Sequence, residues 1–180
     1  MDTVQLDHAL HNRDDLPSGV FKGTYAINQI PHAYTVNPPF AMIINTAPWP
    51  SRGEHWVAIY CTNINQLEYF DSEGKPPPSR LMMWGHLGNP SIVYNAQRLQ
   101  SYCSSVCGEY CLFYLYCRMK NVSFTSFLSY FQLKRHISND RKVYHLVHSV
   151  FAILPHNRPF PVFNHFCIQV SRELSSVSRG

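Results

Sequence analysis

Apolar runs separated by short polar breaks mark the chain, and their period changes near its middle. Residues 3–13 carry an amphipathic pattern that suits a short helix, stopped by the breaker "LPSG". Three strand-like runs follow. "FAMIINTA" (40–47) is apolar enough for a central strand, "HWVAIYCT" (55–62) is rich in β-formers, and "QLEYFDS" (66–72) ends in turn residues. The link "NINQ" between the last two suits a hairpin, so these strands are expected to be antiparallel. "EGKPPPSR" is a loop, because consecutive prolines can neither continue a helix nor donate to a ladder. "LMMWGHL" suggests a helical turn and "SIVYNA" (91–96) another short strand.

From Cys107 the alternation stops. "CGEYCLFYLYCRM" is apolar nearly all round, the pattern of a helix buried in the centre of a domain. "SFTSFLSYF" and "NDRKVYHLVHSVFAIL" read as two more helices, the second with Asn139 or Asp140 as its N-cap. The tail from Pro155 carries no clear pattern, and "SSVSRG" is expected to fray. Strands in the middle and helices towards the end predict an α+β fold, a small mixed sheet packed against helices, with the helix that starts at Cys107 inserted against the sheet.

Composition narrows this further. With 180 residues, the chain most simply forms one domain, 1–180, and a domain of this size buries roughly 70% of its unfolded surface without staples. Hydrophobic residues make up 45% and charged residues 14%, which is globular, and 11 Tyr, 11 Phe and 3 Trp make the core aromatic. The net charge of +4 is modest. The basic pairs Arg118/Lys120, Lys134/Arg135 and Arg141/Lys142 read as solvated faces, with a weak nucleic-acid surface as the alternative. "MDTVQLDHALHNRDDLP" has neither a basic start nor an apolar core, and no stretch reaches the ~18 apolar residues of a membrane span. No secretory route and no membrane partner are therefore expected. A reducing compartment follows, in which the six cysteines are not a disulfide framework and the sequon at Asn121 is a chance match.

Four cysteines crowd into "QSYCSSVCGEYCLFYLYCRM": Cys103, Cys107, Cys111 and Cys117. Their spacing lacks the two ligand pairs of a structural zinc site, and most of them would share one buried helix, so no metal is expected. Cys107 and Cys111 lie on one helical face, a poor geometry for a bridge. Cys111 and Cys117 read as packing residues. Cys107 differs, because it sits where a polar loop meets an apolar helix. A thiol at a helix N-terminus meets the positive end of the dipole, and such placement lowers a cysteine pKa from ~8.5 into roughly 3.5–7.5. The unpaired N–H groups of the first turn also face anything bound there, so the Cys107 amide suits an oxyanion. Gly108, next along, would let a substrate backbone approach closely.

A nucleophilic cysteine needs a base, and the base needs a group to orient it. His55 opens the strand "HWVAIYCT" after the turn "SRGE", and the hairpin returns to bring Asp71 to the same end of the sheet. Asp71 would then hold the His55 imidazole in its working tautomer. Trp56 either lines a substrate groove or packs in the core. The other histidines read as structural or exposed, and Cys61, Cys103 and Cys167 take no role.

This order of residues resembles the adenovirus endopeptidase (adenain) family, part of a wider clan with the SUMO and other ubiquitin-like proteases. "FKGTYAINQIP" (21–31), "AMIINTAPWPSRGEHWVAIY" (41–60), "LEYFDSEG" (67–74) and "LQSYCSSVCGEYC" (99–111) resemble successive family blocks. "NDRKVYHLVHSVF" resembles a late family helix, so the likeness covers about residues 15–155 and leaves 156–180 as a C-terminal extension. The spacing of seven from Gln100 to Cys107 fits the adenoviral members, whereas the ubiquitin-like proteases tend to be one residue shorter there.

The resemblance implies a papain-like, adenain-like cysteine protease fold. It makes Cys107 the nucleophile, His55 the general base and acid, Asp71 the orienting acid, and Gln100 the oxyanion-hole donor beside the Cys107 amide. It implies an endopeptidase that matures viral capsid and core precursors near small or glycine residues, in the host nucleus and the virion, from a DNA virus or a virus-like transposon. Asp71 stands where many members have Glu. The family's activation by a viral peptide and DNA is a second departure, since no cysteine lies between Cys61 and Cys103 to attach such a peptide. No cofactor is required by the sequence, and a peptide or DNA activator is implied only by resemblance. Two rival readings remain: a deubiquitinase or deSUMOylase acting on ubiquitin-like proteins, and a non-enzymatic Cys-rich zinc or nucleic-acid-binding capsid protein.

Overall fold

The computed structural model describes residues 1–11, 13–51, 55–86 and 91–151. Helix α1 (Thr3–His11) is followed by β1 (Phe21–Ala26), a 3-10 turn at Ala33–Thr35, β2 (Phe40–Asn45), β3 (Trp56–Asn63), β4 (Gln66–Phe70), α2 (Ser79–His86) and β5 (Ser91–Tyr94). Three helices complete the described residues, α3 (Cys107–Met119), α4 (Phe124–Ser129) and α5 (His136–Val150). The turn "SRGE" beyond Ser51, the end of the last helix, the tail with His156, His165 and Cys167, and the 156–180 extension lie outside the described residues.

The strands form one mixed sheet in the order β1-β2-β3-β4-β5. The pairs β1–β2 and β4–β5 are parallel, while β2–β3 and β3–β4 are antiparallel. The hairpin expected at 55–72 is present, with Asn63 opposite Gln66 and Ala58 opposite Phe70. Strand β2 is an interior strand, paired on both sides as its apolar composition predicts, and all six of its residues are buried. Strand β1 was not read as a strand from its short, Gly-containing pattern; its pairing with β2 supplies what local propensity does not.

Alternation along the strands divides two cores. Ala58, Tyr60 and Phe70 point towards the layer of α1, α3, α4 and α5, whereas Val57, Ile59, Leu67 and Tyr69 meet Ile27, Phe40 and Leu81 on the opposite face. Helix α3 is buried along nearly its whole length. It is flanked by an aromatic cluster in which Phe70 stacks on Tyr114 at 4.7 Å and Phe127 meets Phe70, Phe113, Tyr114 and Phe131 edge-on or tilted. This arrangement is α+β, with a mixed sheet against helices and a central buried helix that starts at Cys107.

Two expectations are corrected. Helix α5 begins at His136, with Arg135 at the cap position and no side-chain cap. Asn139 and Asp140 lie inside the helix, where their polar groups serve neighbouring loops. Asn139 Nδ2 donates to the Gln132 carbonyl at 2.9 Å, and the Asp140 carboxylate accepts from Ser101 N–H and the Tyr110 hydroxyl, each at 3.1 Å. The pair Arg118/Lys120 is not a solvated face either. Arg118 grips the buried Glu68 through Nε at 2.6 Å and Nη2 at 2.8 Å, and Lys120 pairs with Asp15 at 3.1 Å. Glu68 points inward from β4 among apolar groups, and a buried carboxylate requires such a partner.

Candidate active site

The hairpin and α3 converge on one point. His55 immediately precedes β3, and its carbonyl accepts from Thr46 N–H at 2.9 Å and from the Thr46 hydroxyl at 3.3 Å. Asp71 immediately follows β4. Extending the register Ala58↔Phe70 by one step sets Asp71 opposite Val57, so His55 is its diagonal neighbour on the same face. The imidazole Nε2 meets Asp71 Oδ1 at 2.8 Å. Cys107 lies near enough to the same ring to contribute to its electrostatics. His55, Asp71 and Cys107 are thus brought together at one end of the sheet.

The electrostatics follow from this contact. Burial alone pushes the His55 pKa down, but the hydrogen bonds and charges of Asp71 and Cys107 outweigh it and push it up to about 9. Asp71 is itself held rigidly. Its Oδ1 also accepts from Glu73 N–H at 2.7 Å. Burial, then the Asp71 charge, raises the Tyr69 phenol, which therefore stays protonated.

Asn95 was not singled out from sequence, yet it holds Asp71 from behind. Its Oδ1 accepts from Asp71 N–H at 3.0 Å, and its Nδ2 donates to the Asp71 carbonyl at 2.5 Å. A lone Asn after a short strand carries no local signal for this role. Gly74 is another such residue. It has a φ of +71°, and a Cβ there would lie 2.5 Å from the Gln97 carbonyl carbon, so only glycine permits the 71–74 turn to lie against the 97–100 segment.

Cys107 is the first residue of α3, buried but for 9% of its surface. No side chain caps this helix start, so the first-turn N–H groups stay available to a bound anion. The other thiols differ in kind. Burial raises Cys61 to about 11, Cys117 to about 12, and Cys111 well above its ordinary value. Cys103 is exposed, and no disulfide joins the described cysteines.

Gln100 is buried two residues before the exposed Tyr102. Its Oε1 accepts from the Ser72 hydroxyl at 2.7 Å, and its Nε2 donates to the Ser104 carbonyl at 2.8 Å. Gly108 corrects an expectation. The side where its Cβ would stand is filled by Leu6 Cδ2 and the Met1 Cβ, each at 3.3 Å, and by Trp56 Cδ1 at 3.5 Å. The glycine allows α1 to pack on α3, and the room there is not left for a substrate. Trp56 is half-buried against the same core, which favours the packing alternative. Among the described residues, no three His, Cys, Asp or Glu gather as a metal site, and no helix is long and apolar enough to cross a membrane.

No protein-family profile matches the sequence. Over 104 residues, 50% of the chain, it is 33% identical to the SUMO-1 cysteine protease of African swine fever virus, and the match covers 37% of that protein. It is 32% identical over 93 residues to the protease of bovine adenovirus 7, a match covering 43% of this chain and 46% of that one. The match therefore spans less than half the length of either relative. Among solved structures, the central domain of an uncharacterized Legionella pneumophila protein shares the fold, with a TM-score of 0.53 and 14% identity over 84% of this chain and 96% of that one. Over about half its length, the chain is thus similar to two viral proteases, one from African swine fever virus and one from an adenovirus.

Proposed function

We propose that the chain is a cysteine endopeptidase in which Cys107 is the nucleophile, His55 the acid and base, Asp71 the orienting group, and Gln100 with the Cys107 amide the oxyanion hole. The observation that carries this reading is the His55 imidazole, bonded at 2.8 Å to Asp71 through Nε2 and electrostatically coupled to Cys107 at the uncapped start of α3. The Cys107 thiolate attacks the scissile carbonyl, and the oxyanion donors hold the negative charge that develops. Collapse breaks the C–N bond as His55 gives its proton to the leaving amine. Water, deprotonated by His55, then hydrolyses the thioester and frees Cys107.

The substrates we propose are virion precursor proteins, cut near small or glycine residues, in the host nucleus and the virion. An activating peptide is proposed to bind without a disulfide, since no cysteine lies between Cys61 and Cys103. A DNA activator gains nothing from Arg118 and Lys120, whose charges are spent on Glu68 and Asp15. A second reading, removal of ubiquitin-like modifiers, draws support from the SUMO-1 protease name of one relative. SUMO- and ubiquitin-vinyl sulfone probes separate the two, because labelling of Cys107 by either favours the second.

The test is iodoacetamide alkylation against pH with peptide mapping, on the wild type and His55→Ala. Cys107 is expected to react faster than the exposed Cys103 below pH 7, and to slow when His55 is removed. Equal rates at Cys103 and Cys107 across the pH range would sink the proposal.

A further inference from the structure

We propose that Ser72 is a positioning residue of the oxyanion hole, holding the Gln100 carboxamide in place; this rests on the function proposed above. Ser72 is fully buried and directly follows Asp71. Its carbonyl accepts from both Leu99 N–H and Gln100 N–H at 2.9 Å, and its hydroxyl donates to Gln100 Oε1 at 2.7 Å. One residue therefore grips Gln100 by main chain and side chain together.

The chemistry of the two neighbours fixes the amide orientation. The Ser104 carbonyl accepts only, so it must face the Nε2 of Gln100, while the Ser72 hydroxyl is free to donate to the oxygen. A flipped carboxamide would set oxygen against the Ser104 carbonyl and lose that bond, whereas the Ser72 hydroxyl could still accept, so Ser104 sets the orientation and Ser72 holds the amide in place. With one N–H given to Ser104, the second N–H is the donor available to a substrate oxyanion. Ser72 is also the covalent neighbour of the acid that holds His55, and Asn95 clamps that acid from behind. The 71–74 turn and the 95–100 segment thus form one clasp that places the orienting acid and the oxyanion donor as a unit. Gly74 is what lets the two backbones lie this close.

The prediction is specific to the oxyanion. Alkylation by iodoacetamide develops no oxyanion, whereas peptide hydrolysis and hemithioacetal formation with a peptide aldehyde engage the hole. Ser72→Ala should lower kcat and peptide-aldehyde affinity roughly tenfold, the size expected for one lost buried hydrogen bond, with KM and the Cys107 alkylation rate little changed. In a Gln100→Ala background, the same substitution should cost nothing further. Ser72→Cys, which keeps the volume and a weak donor, should recover part of the loss, and it serves in place of Ser72→Ala if that variant does not fold. Equal losses in both backgrounds, or a matching fall in alkylation rate, would overturn the inference by showing that Ser72 acts through packing or through Asp71. Cys107 that is unreactive in the wild type would instead overturn the proposed function itself.

Discussion

Helix α3 carries a charged network at each end, and the two are built from similar parts to opposite effect. At its C-terminal half, Glu68 of β4 receives Arg118 Nε at 2.6 Å, Arg118 Nη2 at 2.8 Å and the Tyr114 hydroxyl at 2.8 Å. The Arg118 guanidinium also lies over the Tyr60 ring at 4.8 Å and donates to the Val122 carbonyl. Charges and donors are matched, and nothing is left to react. At the N-terminal end, Asp71 of the same hairpin holds His55, and His55 in turn engages a thiol rather than a permanent cation. The helix start there has no cap. One network is closed and serves to lock α3 onto the sheet. The other ends in a thiol and uncapped first-turn donors, which is where the proposed reaction would take place.

The contrast can be broken from either end. Arg118→Ala leaves Glu68 buried without its cation and should destabilise the fold by about 3–5 kcal/mol, read by chemical denaturation, while Cys107 alkylation in the folded protein stays the same. A drop in Cys107 reactivity would mean that the two networks are coupled along α3. Gln100→Ala should lower kcat/KM about 10²–10³-fold with only a small change in melting temperature, and a loss under about threefold would take Gln100 out of the oxyanion hole.

The smallest effect is in pH. Because the folded His55 pKa is raised to about 9, its imidazolium remains available to protonate the leaving amine up to that pH. Activity should therefore fall as pH rises through about 9, and Asp71→Asn should move that limb downward. The matching stability contribution is fully present below the unfolded histidine value of ~6.5 and is lost as pH rises through about 9. An alkaline limb that stays in place in Asp71→Asn would mean that Asp71 does not raise His55.

Much of this was legible in the chain before any coordinates. The β-rich hairpin at 55–72, the apolar helix from Cys107 and the turn residues after Phe70 are local patterns, and each reports its own structure. Placing His55 and Asp71 at one sheet end needed only the antiparallel register, which the short link at residues 63–66 dictates. Cys107 stood out from Cys111 and Cys117 because only it lies at a change from polar to apolar sequence.

What the tertiary structure alone decided are the partners that come from elsewhere in the chain. Asn95, Ser72 and Gly74 act through the contact of the 71–74 turn with the 95–100 segment, and no periodicity encodes that meeting. Gly108 looked like room for a substrate, but the N-terminal segment, a hundred residues away in sequence, fills that room with Met1 and with Leu6 of α1. Arg118 looked solvated until Glu68 was found pointing at it from β4. Asn139 and Asp140 looked like helix caps, yet they satisfy loops that cross α5. In each case the residue type signals a polar or steric demand, and long-range packing decides which group meets it. Local sequence determined the elements and the order of the reactive residues, because propensity and register act over a few residues; the closure of the site depended on contacts that only the folded chain creates.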